Sequence, residues 1–223
     1  MAIPQRIIQS HESEYTFNHT FAKCRKELLK LHPDFDYQFF PAHKRREFIR
    51  ERRPELLELY DFYPRDIQRA DLFRVIAVYE LGGFYLDLDV HPYEPLNELC
   101  EATLVLTEEW KMTRKQYEDR HWQPPAHARD LLQVGNYDFA AEAGHWFMEE
   151  VIDETLCRAG AINPSTIWSD DVLFSTGPDV INAVYARYRD RLKGEVTLLR
   201  GPRRDPWRQF GKFGTHLMAG SWG

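Results

Sequence analysis

Cysteine is scarce in this sequence: Cys24, Cys100 and Cys157 are odd in number, far apart and never in a Cys-x-x-Cys spacing. That pattern argues against a disulfide framework or a zinc knuckle and fits a reducing compartment. Surplus positive charge is missing as well, since 29 Lys and Arg face 35 Asp and Glu for a formal net charge of −6. Nucleic acid and anionic membranes are bound largely through excess Lys and Arg, so neither is the expected main partner. No stretch approaches the roughly 20 apolar residues of a membrane helix, and the opening MAIPQRIIQSHESEYTF has no apolar run resembling a secretory leader. Repeats and low-complexity tracts are absent too. These absences predict a soluble cytoplasmic chain without a transmembrane segment.

What is present is a core. With 223 residues, 43% of them hydrophobic and 14% aromatic, the chain is long enough for one sizeable domain. Ile7-Ile8 before Gln9-Ser10-His11 reads as a first strand ending in a loop placed to face a ligand. Phe17, Phe21, Leu28 and Leu31 then follow near-helical spacing up to Pro33, and FDYQFF (35–40) reads as a second strand. A charged helical stretch with a proline break leads into RDIQRADLFRVIAVYELGG. Its apolar residues Ile67, Ala70, Leu72, Phe73, Ile76, Ala77 and Leu81 go well round the cylinder, predicting a central buried helix that stops at Gly82-Gly83. FYLDLDV comes next as a strand. Further strands are expected at 103–109, around 130–141 and at 196–200, with helices from about Gly144 to Cys157 and from near Pro178. The tail FGKFGTHLMAGSWG shows no periodicity. Alternating strands and helices imply an α/β fold.

Asp87 and Asp89 stand one residue apart on the expected strand, where alternate side chains point the same way while Leu86, Leu88 and Val90 pack behind. Two aligned carboxylates suit a hard divalent cation, Mn²⁺ or Mg²⁺, that completes its shell with substrate phosphates. The plainer alternative is an acidic strand end that is solvated or paired with Arg. Upstream, Asp71 and Arg74 share one helix face.

The string RADLFRVIAVYELGGFYLDLDV closely resembles the sugar-binding segment of the Asp-x-Asp glycosyltransferases that include fungal Golgi mannosyltransferases and bacterial capsular-polysaccharide transferases. Clostridial glucosylating toxins look like more distant relatives. The likeness continues in IPQRIIQSHES and in HPDFDYQFFPAHKRREFI, where Pro41-Ala42 stands at the family's usual acidic pair. VGNYDFAAEAGHWFMEEVI, LFSTGPDVINAVY and HLMAGSW extend it over most of the chain. The resemblance implies a GT-A architecture, a Rossmann-like nucleotide-binding sheet flanked by helices in a single domain over residues 1–223. Residues about 1–100 would form the nucleotide-sugar half, and about 101–223 the acceptor half with a closing tail. It implies transfer of a sugar from a UDP- or GDP-sugar to a hydroxyl of a glycan or other acceptor.

By the same resemblance Asp71 recognises sugar hydroxyls and Arg74 the sugar or phosphate, chemistry suited to a carboxylate and a guanidinium; the alternative is a surface ion pair. Asp89 is the first choice for direct metal coordination, Asp87 for the metal, a bound water or ribose, and His216 for a third ligand. Gln9, Ser10, His11, Gly83, Tyr85 and Asn136 join the expected donor-binding set, His11 by stacking on the base. Ser221 and Trp222 would close over the diphosphate and exclude water, or simply form a frayed terminus. Asp170 and Asp171 are acceptor or base candidates, with a helix cap as the alternative. Two other functions fit the same residues: a nucleotide-sugar or glycan binding module without turnover, and a metal-dependent phosphoesterase, which would need a second metal cluster not evident here.

Overall fold

The computed structural model describes residues 2–120, 122–124, 126–129, 131–201 and 208–219. Strand β1 (Arg6–His11), helix α1 (His19–Leu31) and β2 (Asp36–Pro41) open the chain, followed by helices α2 (Ala42–Arg52), α3 (Leu57–Phe62) and α4 (Asp66–Leu81). Next come β3 (Gly83–Leu86), β4 (Val90–Pro92), β5 (Leu104–Met112), α5 (Arg114–Asp119), β6 (Leu131–Val134) and β7 (Asp138–Ala141). Helices α6 (Trp146–Ala159), α7 (Ser169–Ser175) and α8 (Pro178–Tyr188) precede β8 (Val196–Leu199), β9 (Gln209–Phe210) and β10 (Gly214–His216).

The main sheet runs β2-β1-β3-β7-β5-β6, with β8 also on β5, and a smaller sheet runs β4-β10-β9. Strands β1, β2 and β3 are parallel, as β-α-β crossovers require, while β7 is antiparallel to both β3 and β5. Alternation along the central strands feeds a core on each face. Ile8, Tyr85, Leu106 and Phe139 pack with the helices, whereas Ile7, Phe84, Leu86, Val105 and Ala140 pack with Leu28, Phe210 and Phe213 on the other face. Burial on both faces explains why these strands read as apolar runs. Helix α4 lies in the helical layer and is buried nearly all round, from Gln68 to Val78.

Gly82 and Gly83 are both obligatory. Gly82 has φ +64°, and a Cβ there would sit 2.8 Å from the Ala143 amide nitrogen; at Gly83, with φ +114°, it would meet the Arg6 carbonyl oxygen at 2.7 Å. The glycine pair thus turns α4 straight into a strand packed on β1.

Four expectations need correction. Gln9, Ser10 and His11 are not a loop, because β1 pairs with β2 through the whole register to His11–Pro41. The Asp-x-Asp segment is not strand: β3 ends at Leu86, and the Val90 amide donates to the Asp87 carbonyl at 3.0 Å, closing a turn where the chain leaves one sheet for the other. The single strand expected around 130–141 is two, because its first part pairs with the outer half of β5 and its second with β3 and the inner half. The tail holds strands of two and three residues, too short to show a period. No helix among the described residues is long and apolar enough to cross a membrane.

Candidate active site

The site forms where the parallel strands end. The Asp87 amide donates to the Tyr137 carbonyl at 2.9 Å, and the Gln9 side-chain amide, from β1, reaches the carbonyls of Leu86 at 3.2 Å and Asp87 at 3.4 Å. Leu88, 4% exposed, plugs into the core, so the two aspartates flank a buried side chain. Alternation is kept by the turn even though the strand is not.

Each carboxylate holds the protein with one oxygen and turns the other toward the same point. Asp87 Oδ1 accepts from the Tyr85 hydroxyl at 2.9 Å and faces Arg74 Nη2 at 3.4 Å, while Oδ2 lies 3.9 Å from His216 Nε2. Asp89 Oδ2 accepts from the Ala219 amide at 2.8 Å, and Oδ1 lies 3.1 Å from the same imidazole nitrogen. His216 comes from β10, whose pairing with β4 sets it opposite Val90. Candidate ligand atoms of Asp87, Asp89 and His216 all fall within 4.8 Å of one another. A donor set of two carboxylate oxygens and one imidazole nitrogen fits Mn²⁺ and, less naturally, Mg²⁺. An ion held by these three groups would also need oxygens from substrate or water.

Arg74 and Asp71 stand directly behind. Arg74, 4% exposed, lies 3.0 Å from Asp71 Oδ1, donates to the Asn136 carbonyl at 2.6 Å and sits 4.8 Å over the Tyr85 ring. Burial works against its charge, but Asp87, Tyr85 and Asp71 outweigh that and hold its pKa up. Its Nε is buried with no acceptor among the described residues. Asp71, 2% exposed, also accepts from Thr176 at 3.2 Å and Asn136 at 3.5 Å. Burial lifts the Asp71 carboxyl to about 7, with Arg74 pulling the other way. Burial raises Asp87 too, again opposed by Arg74.

Of the remaining expected residues, Tyr85 and Asn136 are part of this network. Gln9 braces it from β1 and also accepts from the Tyr37 hydroxyl at 3.1 Å. Ser10 donates to the Phe40 carbonyl at 2.9 Å, tying β1 to β2. His11 rests edge-on against Phe17 and Phe21 at 5.6 and 5.3 Å. Gly83 lies at the far end of β3 and serves packing. Asp171 accepts from the Trp168 amide at 2.8 Å and so caps α7, while Asp170 is exposed beside it. Ser221 and Trp222 lie outside the described residues. Sequence reasoning missed Thr176 and Tyr137: the first lies inside the quoted Thr-Gly-Pro stretch, the second beside Asn136, but neither carries a charge or a spacing that marks it.

Residues 18–106 match the family described as a glycosyltransferase sugar-binding region containing DXD motif. Inositol phosphoceramide mannosyltransferase 2 of Schizosaccharomyces pombe is 38% identical over 171 residues, 76% of this chain and 42% of that protein. Inositol phosphoceramide mannosyltransferase 3 of the same yeast is 39% identical over 89 residues, 40% of this chain and 25% of its own length. The chain thus spans less than half of these curated relatives. Among solved structures, the PaToxG glycosyltransferase shares the fold, with a TM-score of 0.56 at 13% identity over 85% of this chain and 70% of that one. The chain thus has a GT-A type α/β architecture, residues 18–106 that match the sugar-binding region of the Asp-x-Asp glycosyltransferases, and a sequence similar to fungal mannosyltransferases.

Proposed function

We propose that the chain is a metal-dependent glycosyltransferase that moves a hexose from a UDP- or GDP-sugar to a hydroxyl of a glycan or other acceptor. The mannosyltransferase names of its relatives make mannose the first sugar to test. The observation that carries the reading is the convergence of one Asp87 oxygen, one Asp89 oxygen and His216 Nε2 while the opposite oxygens are held by the protein. A divalent ion held there would act as a Lewis acid on the departing nucleoside diphosphate, whose charge grows as the bond from sugar carbon to phosphate oxygen breaks.

The chain's own residues do the rest. Arg74 and Tyr85 fix Asp87 so that its free oxygen keeps one direction. Arg74 Nε is the buried donor left for a sugar or phosphate oxygen. Asp71, bound to Arg74, Asn136 and Thr176, ties helix α4 to the ends of β6 and α7, so the wall of the site is set before substrate arrives. Ser221 and Trp222 remain candidates for closing the diphosphate side, since the Ala219 amide already brings the tail to Asp89.

The test is turnover of UDP-glucose, UDP-galactose and GDP-mannose by wild type and Asp89→Asn, each with Mn²⁺ and with a chelator. Wild type should consume one donor, lose that activity to the chelator, and lose more than about 100-fold in the variant, the scale of removing a group that stabilises developing charge. Melting should be little changed. Nucleoside diphosphate binding without consumption of any donor would instead favour a binding module, and release of phosphate from phosphomonoesters a phosphoesterase.

A further inference from the structure

The metal-ligand cluster is assembled from two segments that share no strand. Asp87 and Asp89 lie in the turn between β3 and β4, while His216 ends β10 in the smaller sheet. An imidazole that ligates through Nε2 is normally oriented by a hydrogen bond from its other nitrogen to a carboxylate or carbonyl. Here His216 Nδ1 faces the Met218 sulfur at 2.9 Å, and a thioether is a weak acceptor. Orientation has to come from somewhere else.

Tyr137 touches both segments. Its carbonyl accepts the Asp87 amide at 2.9 Å, and its ring lies 4.3 Å from the His216 ring at an interplanar angle of 31°. The residue is itself held firmly, because it is 9% exposed and directly precedes β7, whose first residue, Asp138, is paired with Leu86 of β3.

We propose that Tyr137 is the positioning residue of the metal site, joining its two halves by main-chain contact with Asp87 and by the face of its ring against His216. The ring does not touch the metal. It fixes the plane of the imidazole so that Nε2 points at the gap between the carboxylates, and the same residue fixes the height of that gap through the Asp87 amide. The inference rests on the metal reading above.

The experiment is calorimetric titration of Mn²⁺ into the full chain without donor, for wild type, Tyr137→Phe and Tyr137→Leu. Proton NMR of the His216 ring, assigned with His216→Gln, accompanies it. Phe keeps the ring and should retain affinity within about 3-fold; Leu should weaken it by about 10-fold or more, the lower end of what removing a ligand-orienting partner costs. The imidazole protons should be shifted upfield in wild type and Phe. Mn²⁺ binding by Leu as tight as wild type, or unshifted His216 protons in wild type, would overturn the inference while leaving the metal site standing. If Leu does not fold, the NMR of wild type and Phe decides. No Mn²⁺ binding by wild type would remove the metal reading, and this inference with it.

Discussion

Asp71 and Arg74 are three residues apart on α4, and their buried pairing is more than a helix surface contact. Arg74 reaches Asp71, Asp87 and the Asn136 carbonyl at once. A lysine has one point of charge and no planar fork, so it can satisfy only part of that set. Arg74→Lys should therefore lower stability by about 1–3 kcal/mol, the cost of leaving buried polar partners unmet. It should also reduce sugar transfer more than it reduces binding of free nucleoside diphosphate; denaturant melts and paired binding and turnover assays check this, and equal losses would mark Arg74 as purely structural. Asp71 offers a test by pH. Its carboxyl is raised to about 7 by burial, so the folded protein holds that proton more tightly than the unfolded chain does. The contribution is most favourable below the unfolded value near 4 and is lost as pH climbs through about 7. Asp71→Asn, uncharged throughout, should gain stability relative to wild type as pH rises from about 5 to about 7.5. Melting in the presence of a chelator measures it, and a difference that stays constant would mean Asp71 is ionised in both states across that range.

At the level of elements, the proposed metal-ligand set depends on how the small sheet docks. Strand β10 pairs antiparallel with β4, setting Gly214 against Pro92, Thr215 against His91 and His216 against Val90. A Cβ at Gly214 would lie 2.8 Å from the His91 carbonyl oxygen, a contact with backbone that has no flexible end to give way. Gly214→Ala should push β10 off β4, move His216 and weaken Mn²⁺ binding by about 10-fold or more, as loss of ligand orientation does. The main sheet should survive, since the cores on its two faces are built chiefly from other strands and helices. Calorimetry with Mn²⁺ and far-UV circular dichroism test both halves of that statement; unchanged affinity would show that β10 tolerates the shift. Elements also explain what the sequence could and could not say about single residues. Asp171 carries the same charge as Asp170, but its position three residues after the Trp168 amide makes it a cap, and only the start of α7 fixes that count. Gly83 sits inside the motif-bearing segment, yet its role is to let β3 lie against Arg6.

For the molecule as a whole, a metal and a nucleoside diphosphate that bind only the folded state must raise its melting temperature. At ligand concentrations about 100 times the dissociation constant the gain is about 2.7 kcal/mol. For a chain of this size that corresponds to roughly 5–10 °C, and it should vanish with a chelator or in Asp89→Asn. A thermal-shift series over UDP and GDP with and without Mn²⁺ measures it and identifies the base; no shift with either would count against the site. The sequence by itself determined the α/β alternation, the buried helix halted by two glycines, and the acidic pair beside Asp71 and Arg74. Those features are local: periodicity and steric stops act over a few residues and persist whatever the rest of the chain does. Only the tertiary structure decided that the pair occupies a turn between two sheets, that each carboxylate gives one oxygen to the site, and that His216 and Tyr137 meet there. Asp89 and Ala219 are 130 residues apart in the chain. Contacts over such distances are set by strand pairing and packing, which no short-range pattern encodes.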